Sequence, residues 1–199
     1  MRKSNSKIRA FVVAVIFILI VIVAIVMGYR AAQQSEYEYR LASHPKKYSE
    51  YVAKYAQEYE MDEDLIYAVI KTESDFDCEA VSNVGARGLM QIMEETFDWI
   101  KFRLGDDESV YDDMFEPEMN IRYGAYLMDY LLEKFGDKDT AVAAYHSGAG
   151  CVSSWLEDKE NSSDGKRLDN IPSSTAAHYV NKINNALSNY KELYNNERN

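Results

Sequence analysis

Residues 65–73 read LIYAVIKTE and residues 85–93 read GARGLMQIM. The first stretch is apolar almost all round, the pattern of a helix buried on every side. Asp62 stands where a residue capping that helix would be. The last turn then carries Glu73 to the edge of a core. Three effects there act to raise its pKa: partial burial, the negative end of the helix dipole, and the nearby Asp75, Asp77 and Glu79. A carboxyl group that stays protonated at neutral pH can protonate a glycosidic oxygen. Taken locally, the same residues also fit a solvated glutamate at a helix end. In the second stretch Gly85 and Gly88 permit tight turns and close approach of a ligand, and Met90 to Met93 read as a short helix.

Working outward, the chain reads as further short helices. Tyr48, Tyr51, Val52, Tyr55 and Tyr59 fall on one helical stripe after Pro45, which suits a first turn. Thr96 to Leu104 is a helix ended by Gly105, and Pro117 to Phe135 is a longer one stopped by Gly136. Asp139 is expected to cap Thr140 to His146, Cys151 to Leu156 adds a turn or two, and Ser173 or Ser174 caps a last helix through Tyr179, Ile183 and Leu187. Residues 161–170 form a polar loop. No segment alternates convincingly enough to be a strand, so this part of the chain is expected to be mainly α.

Ala10 to Met27 is an unbroken apolar run, about 27 Å long as a helix and just enough to cross a hydrocarbon core. Arg2, Lys3, Lys7 and Arg9 precede it with no acid among them, which favours a cytoplasmic N-terminus. The run is longer than a usual signal-peptide core, and Ala31-Ala32 makes a poor cleavage site, so a retained anchor is expected over a cleaved leader. The organisation expected is a cytoplasmic tail over residues 1–9, a transmembrane signal-anchor over 10–28, a linker or loose helical stalk over 29–44, and one globular domain over 45–199. Four of the 22 basic residues lie in the tail, which leaves 18 against 33 acidic ones. So acidic a domain is a poor partner for nucleic acid. Two cysteines and three histidines are too few and too scattered for a metal site, and no cofactor is expected.

Four blocks then occur in order: Glu73-Ser74 with Phe76; Gly85 to Met93; Ala143-Ala144-Tyr145-His146-Ser147-Gly148-Ala149-Gly150; and Ile171-Pro172 followed by His178-Tyr179-Val180. Between the second and third, Glu116-Pro117, Asn120-Ile121, Gly124 and Tyr126-Leu127 match a long helix. In this set, from about Tyr48 to Leu187, the chain resembles the soluble-type lytic transglycosylases, whose SLT domain is lysozyme-like. The resemblance implies a single mainly α domain of the goose-type/SLT kind, preceded here by one transmembrane helix. It also implies cleavage of the MurNAc–GlcNAc β-1,4 bond of peptidoglycan to leave 1,6-anhydro-MurNAc ends.

By the same resemblance Glu73 is the catalytic acid and base. One carboxylate suffices because the attacking 6-hydroxyl belongs to the sugar being cut. Ser74 is expected to position the acid or substrate, with a bond to a helix carbonyl as the plainer alternative. Gly88, Met90 and Gln91 are expected to line the groove, Met90 as an apolar platform and Gln91 through its amide. Tyr145 is implied to be a wall near the cleaved bond, and Tyr179 to reach Glu73 or its substrate. His146 stands where the family usually has asparagine, and its charge near pH 6–7 could tune binding. Thr175 and Ala176 replace the family's usual Glu-Thr, and Glu94 replaces a common proline.

In the family the blocks holding Cys78 and Cys151 border one cleft, so a Cys78–Cys151 disulfide is expected outside the cytoplasm, with two free thiols as the alternative. Two other functions fit the residues. A hydrolytic muramidase of goose-lysozyme type needs a second carboxylate ~6.5–9.5 Å from the first, and Asp75, Asp77, Glu94, Glu95 and Asp98 are available. A non-catalytic glycan-binding protein of an envelope assembly would use the groove alone, though it would have no need to keep Glu73.

Overall fold

The computed structural model describes residues 2–194. The chain divides into two compact units, Met1–Pro45 and Lys46–Asn199. The first is one helix, α1, Arg2–Ser43. Its apolar run is exposed, and by length and composition it is long and apolar enough to cross a membrane. Helix continues unbroken through the polar residues 29–43, where a linker was one expectation. Spaced pairs hold that stretch: Gln33 Nε2 donates to Tyr29 Oη at 2.8 Å, and Gln34 Nε2 to Glu38 Oε1 at 2.8 Å.

The second unit contains α2 (Ser49–Glu58), α3 (Glu63–Glu73), α4 (Glu94–Leu104), a 3₁₀ turn (Tyr111–Phe115), α5 (Pro117–Phe135), α6 (Lys138–Ser147), α7 (Ala149–Glu157) and α8 (Ser174–Tyr194). Among the described residues there is no strand, only isolated bridges from Arg87 to Val81 and Ile92. The expectation of a mainly α domain is met.

Helix α3 is the centre of this unit. Every residue from Leu65 to Ile70 is buried, each aliphatic side chain contributing about 1.5–3 kcal/mol of burial. Asp62 caps it, accepting from the Asp64 backbone N–H at 3.0 Å. Its partners are α8 and α2, while α6 packs between α5 and α8. The C-terminus of α3 is therefore walled by α8 and faces the end of α6.

Several local expectations change. Helix α2 begins at Ser49, not at Pro45, because Tyr48 at its head sits in a left-handed conformation (φ 59°). The cap of α6 is Asp137, whose Oδ1 accepts from the Thr140 N–H at 2.9 Å, rather than Asp139. Asp139 lies inside the first turn and pairs with Lys138 at 2.7 Å. Met90 to Met93 is a turn, not a helix. Arg87 and Ile92 pair backbone to backbone across it, and Gln91 at its apex has φ 50°. Gly105 and Gly136 end α4 and α5 in left-handed conformations, as read from the sequence.

Candidate active site

Glu73 is the last residue of α3, and the chain reverses immediately behind it. Asp75 and Phe76 both have positive φ, 53° and 66°, a costly conformation for a phenylalanine. The buried Phe76 ring offsets that cost by packing beside Tyr67 at 6.4 Å between centroids. Ser74 ties the reversal to the next loop, its Oγ donating to Leu89 O at 2.8 Å and to Ile70 O at 3.3 Å. Its hydroxyl braces the backbone, the plainer of its two expected roles.

From the facing helix, the Tyr179 hydroxyl donates to Glu73 Oε1 at 2.5 Å. Burial is the larger influence on Glu73 and the Tyr179 bond opposes it in part; together they leave its pKa at about 7. The acidic neighbours expected to help do not act on it. Asp75 turns outward into an ion pair with Lys71 at 2.5 Å. Glu73 and Tyr179 open into a recess of about 410 Å³, which His146, Thr175, His178 and Lys182 also line. Among the described residues no second carboxylate lines it.

His146 lies flat on Tyr179, with ring centroids 4.7 Å apart and planes 20° apart. Loss of water around the ring pushes its pKa below the ordinary histidine value. The shift disfavours the charged form of the ring, and the stack presents its face to Tyr179. Tyr145 lines a second cleft of about 490 Å³ together with Trp99, Tyr130 and Glu95. Its hydroxyl donates to Met90 O at 2.8 Å. Burial and the Glu73 carboxylate push the Tyr145 hydroxyl far above the ordinary tyrosine pKa, so it remains a donor.

The 85–93 loop is built differently from expectation. Met90 is wholly buried. Its sulfur sits so close to Gly124 that a Cβ added there would lie 2.3 Å away. Met90 is therefore core and offers no platform to a sugar. Gly88 (φ 72°) is required by protein, not by ligand, because a Cβ there would lie 2.0 Å from Met114 O and 2.3 Å from Asn120 Nδ2. The Gln91 amide nitrogen donates to Gly88 O at 2.9 Å and Ala80 O at 3.1 Å, so it holds the loop it sits in.

The residue that organises this loop is Asn120, buried on α5. It accepts from the Met90 N–H at 2.7 Å and donates to Arg87 O at 2.9 Å and Met114 O at 2.8 Å. The sequence reading placed Asn120 only on the long helix. The available signal was an amide on the same face as Ile121 and Gly124, which must find partners if buried. Lys182 and His178 were also missed as recess residues, although their spacing with Thr175 and Tyr179 puts all four on one side of α8.

Cys78 and Cys151 are both free thiols, which corrects the expected disulfide. Cys151 lies exposed in the first turn of α7, and α7 packs on α6. Cys78 lies half-buried in the turns after α3, beside Tyr48.

A helix-end carboxyl group held near neutral pKa by burial and clamped by a tyrosine from a facing helix belongs to a known class of fold and site. Residues 50–168 match the transglycosylase SLT domain, and the chain belongs to that family. Among its relatives, membrane-bound lytic murein transglycosylase C of Sodalis glossinidius is 30% identical over 169 residues, covering 73% of this chain and 47% of the relative. Soluble lytic murein transglycosylase of Salmonella typhimurium is 30% identical over 142 residues, covering 70% of this chain and 22% of the relative. An inactive mutant of the lytic transglycosylase Slt from Pseudomonas aeruginosa superposes with a TM-score of 0.68 at 27% identity, over 76% of this chain and 25% of that one. The expected lysozyme-like SLT fold is thus the fold observed. The chain spans about half the length (47%) of the first of these relatives and a quarter (25%) of the Slt chain.

Proposed function

We propose that this protein is a peptidoglycan lytic transglycosylase that cleaves the MurNAc–GlcNAc β-1,4 bond and leaves 1,6-anhydro-MurNAc ends. The observation that carries the reading is Glu73 itself: pKa about 7, one oxygen held by Tyr179, and no second carboxylate lining its recess among the described residues. With Tyr179 bonded to Oε1, the acidic proton sits on the other oxygen, free to reach substrate. Glu73 gives that proton to the glycosidic oxygen as the bond from the MurNAc anomeric carbon breaks. The 6-hydroxyl of the same MurNAc then bonds to that carbon, and its proton returns to Glu73. No water is consumed and the acid is regenerated. A group of pKa near 7 can do both jobs at neutral pH, and the nucleophile is already in place on the sugar.

Residues 10–28 are proposed to anchor the enzyme in the cell membrane, with residues 1–9 cytoplasmic and the catalytic domain outside. The basic tail and the apolar length of α1 support this reading. Protease added to intact cells should remove the domain and spare the tail.

The activity is tested by digesting purified peptidoglycan with the full chain in detergent and reading soluble muropeptides by mass spectrometry. Wild type should release anhydro-MurNAc ends, and Glu73→Gln should reduce their release about a thousandfold. Ordinary reducing MurNAc ends would make the protein a muramidase instead. Binding without any product from wild type would make it a glycan-binding protein.

A further inference from the structure

The short segment that leads into α2, residues 46–48, follows α3 from its first turns to the reversal behind Glu73. Lys46 is held at the head of α3. Its Nζ lies 3.8 Å from Oδ1 of the fully buried Asp64, 4.5 Å from the centroid of the Tyr194 ring and 5.5 Å from that of Tyr67. Tyr190 stacks on Tyr67 at 5.3 Å and on Tyr194 at 6.1 Å. The ammonium thus sits in an anionic and aromatic cage shared by α3 and α8. Further along, Lys47 Nζ lies 5.9 Å from the centroid of the Phe76 ring, and Tyr48 sits beside Asp77 and Cys78. Strain gathers at this meeting of segments: Tyr48 has φ 59°, Asp75 53° and Phe76 66°. A glycine would adopt the Tyr48 backbone without steric cost. A tyrosine persists there only where its surroundings over-determine it, and such strain clusters at functional sites. Its half-buried ring packs against the core. Glu73 is held from the recess side by Tyr179, and Ser74 ties the turn to Leu89 O. Residues 46–48 back the same turn.

We propose that residues 46–48 are a positioning element for the acid: Lys46 seats the segment in its cage, and the Tyr48 ring then braces the 76–78 reversal and keeps Glu73 in place in the recess. The effect on turnover rests on the activity proposed above. Burial is the larger influence on the Glu73 carboxyl group. A looser reversal admits water to it and lowers its pKa. Tyr179, His178 and Lys182 of α8 and Tyr145 and His146 of α6 face the group, and a substitution at position 46 or 48 replaces none of them.

Tyr48→Gly relieves the backbone and removes the ring, so it separates stability from function. In the full chain in detergent its melting temperature should stay within about 5 °C of wild type. Its kcat for anhydro-MurNAc release from peptidoglycan should fall about tenfold, with KM within about twofold. The Glu73 carboxyl group, followed by ¹³C NMR and assigned with Glu73→Gln, should titrate about one pH unit lower than in wild type. Tyr48→Phe keeps the ring and should match wild-type kcat within about twofold. Lys46→Gln should move kcat and the titration in the same directions, and Lys46→Arg should restore both, so the test stands even where Tyr48→Gly does not fold. Unchanged kcat and titration in folded Tyr48→Gly or Lys46→Gln would overturn the proposal. So would a loss of kcat that only follows the unfolded fraction while the titration stays put. Wild type that releases no anhydro ends would overturn the activity instead, and the titration would still decide the positioning.

Discussion

Two regions of the molecule carry the family's motifs, and they use them in opposite ways. At the α3–α8 junction the motif residues face open space: Glu73 and Tyr179 meet at 2.5 Å inside a recess. The 85–93 loop spends its residues on holding itself together. Gly88 is pressed against Met114 O, Met90 is sealed in the core, Gln91 bonds the carbonyls of Gly88 and Ala80, and Asn120 bonds three backbone groups of the loop and the 3₁₀ turn. Ser74, next to Glu73, connects the two regions by donating to Leu89 O, and Tyr145 of α6 braces the loop by donating to Met90 O. A motif residue can therefore serve a site by bracing its wall rather than by touching substrate.

The sharpest way to break this contrast is at Gly88. Gly88→Ala meets both a positive φ and a backbone oxygen 2.0 Å from the new Cβ. It should lose about 3–5 kcal/mol in denaturant unfolding. A loss below about 1 kcal/mol would mean the loop is looser than described.

At the junction the expected change has the other sign. The folded pKa of Glu73, about 7, lies above its ordinary 4.5. Its protonated form therefore favours the folded state. That stability is fully present below about pH 4.5 and is lost as pH rises through 7. Glu73→Gln should be more stable than wild type at pH 8, by up to about 3 kcal/mol, and the two should converge near pH 4. Melting curves at the two pH values check this; identical curves throughout would deny that burial governs the carboxyl group.

The Tyr179 bond lowers the Glu73 pKa, against the effect of burial. Tyr179→Phe should then move the alkaline limb of kcat/KM to higher pH. A limb that stays put or moves down would remove Tyr179 from control of the acid. The smallest effect belongs to Met90→Leu, a swap of similar volume in the core. It should cost less than about 1.5 kcal/mol and leave KM for peptidoglycan unchanged within about twofold. A large rise in KM with little loss of stability would return Met90 to the groove.

Much of this was legible in the sequence because it rests on short-range patterning. The all-round apolar run 65–70, the Asp62 cap and the terminating Gly105 and Gly136 are local signals, and α3, α4 and α5 followed them. Glu73 and Tyr179 were legible as a pair only through the family pattern, because 106 residues separate them. What did not carry through was the direction of side chains in the irregular loop. Whether Met90 faces groove or core depends on Gly124 of α5 and on Asn120, partners that local periodicity does not contain. The cap of α6 was misplaced by two residues because Asp137 and Asp139 look alike in sequence, and only the helix start tells them apart. The disulfide failed for a related reason: neighbouring blocks do not place two particular sulfur atoms face to face.

The central claim is that one carboxylate suffices because the substrate supplies the nucleophile. Digestion of peptidoglycan in ¹⁸O-enriched water, with mass spectrometry of the new MurNAc ends, tests it most directly. The account predicts anhydro ends carrying no ¹⁸O. Ends labelled with one ¹⁸O at the anomeric carbon would show water as the nucleophile and contradict it.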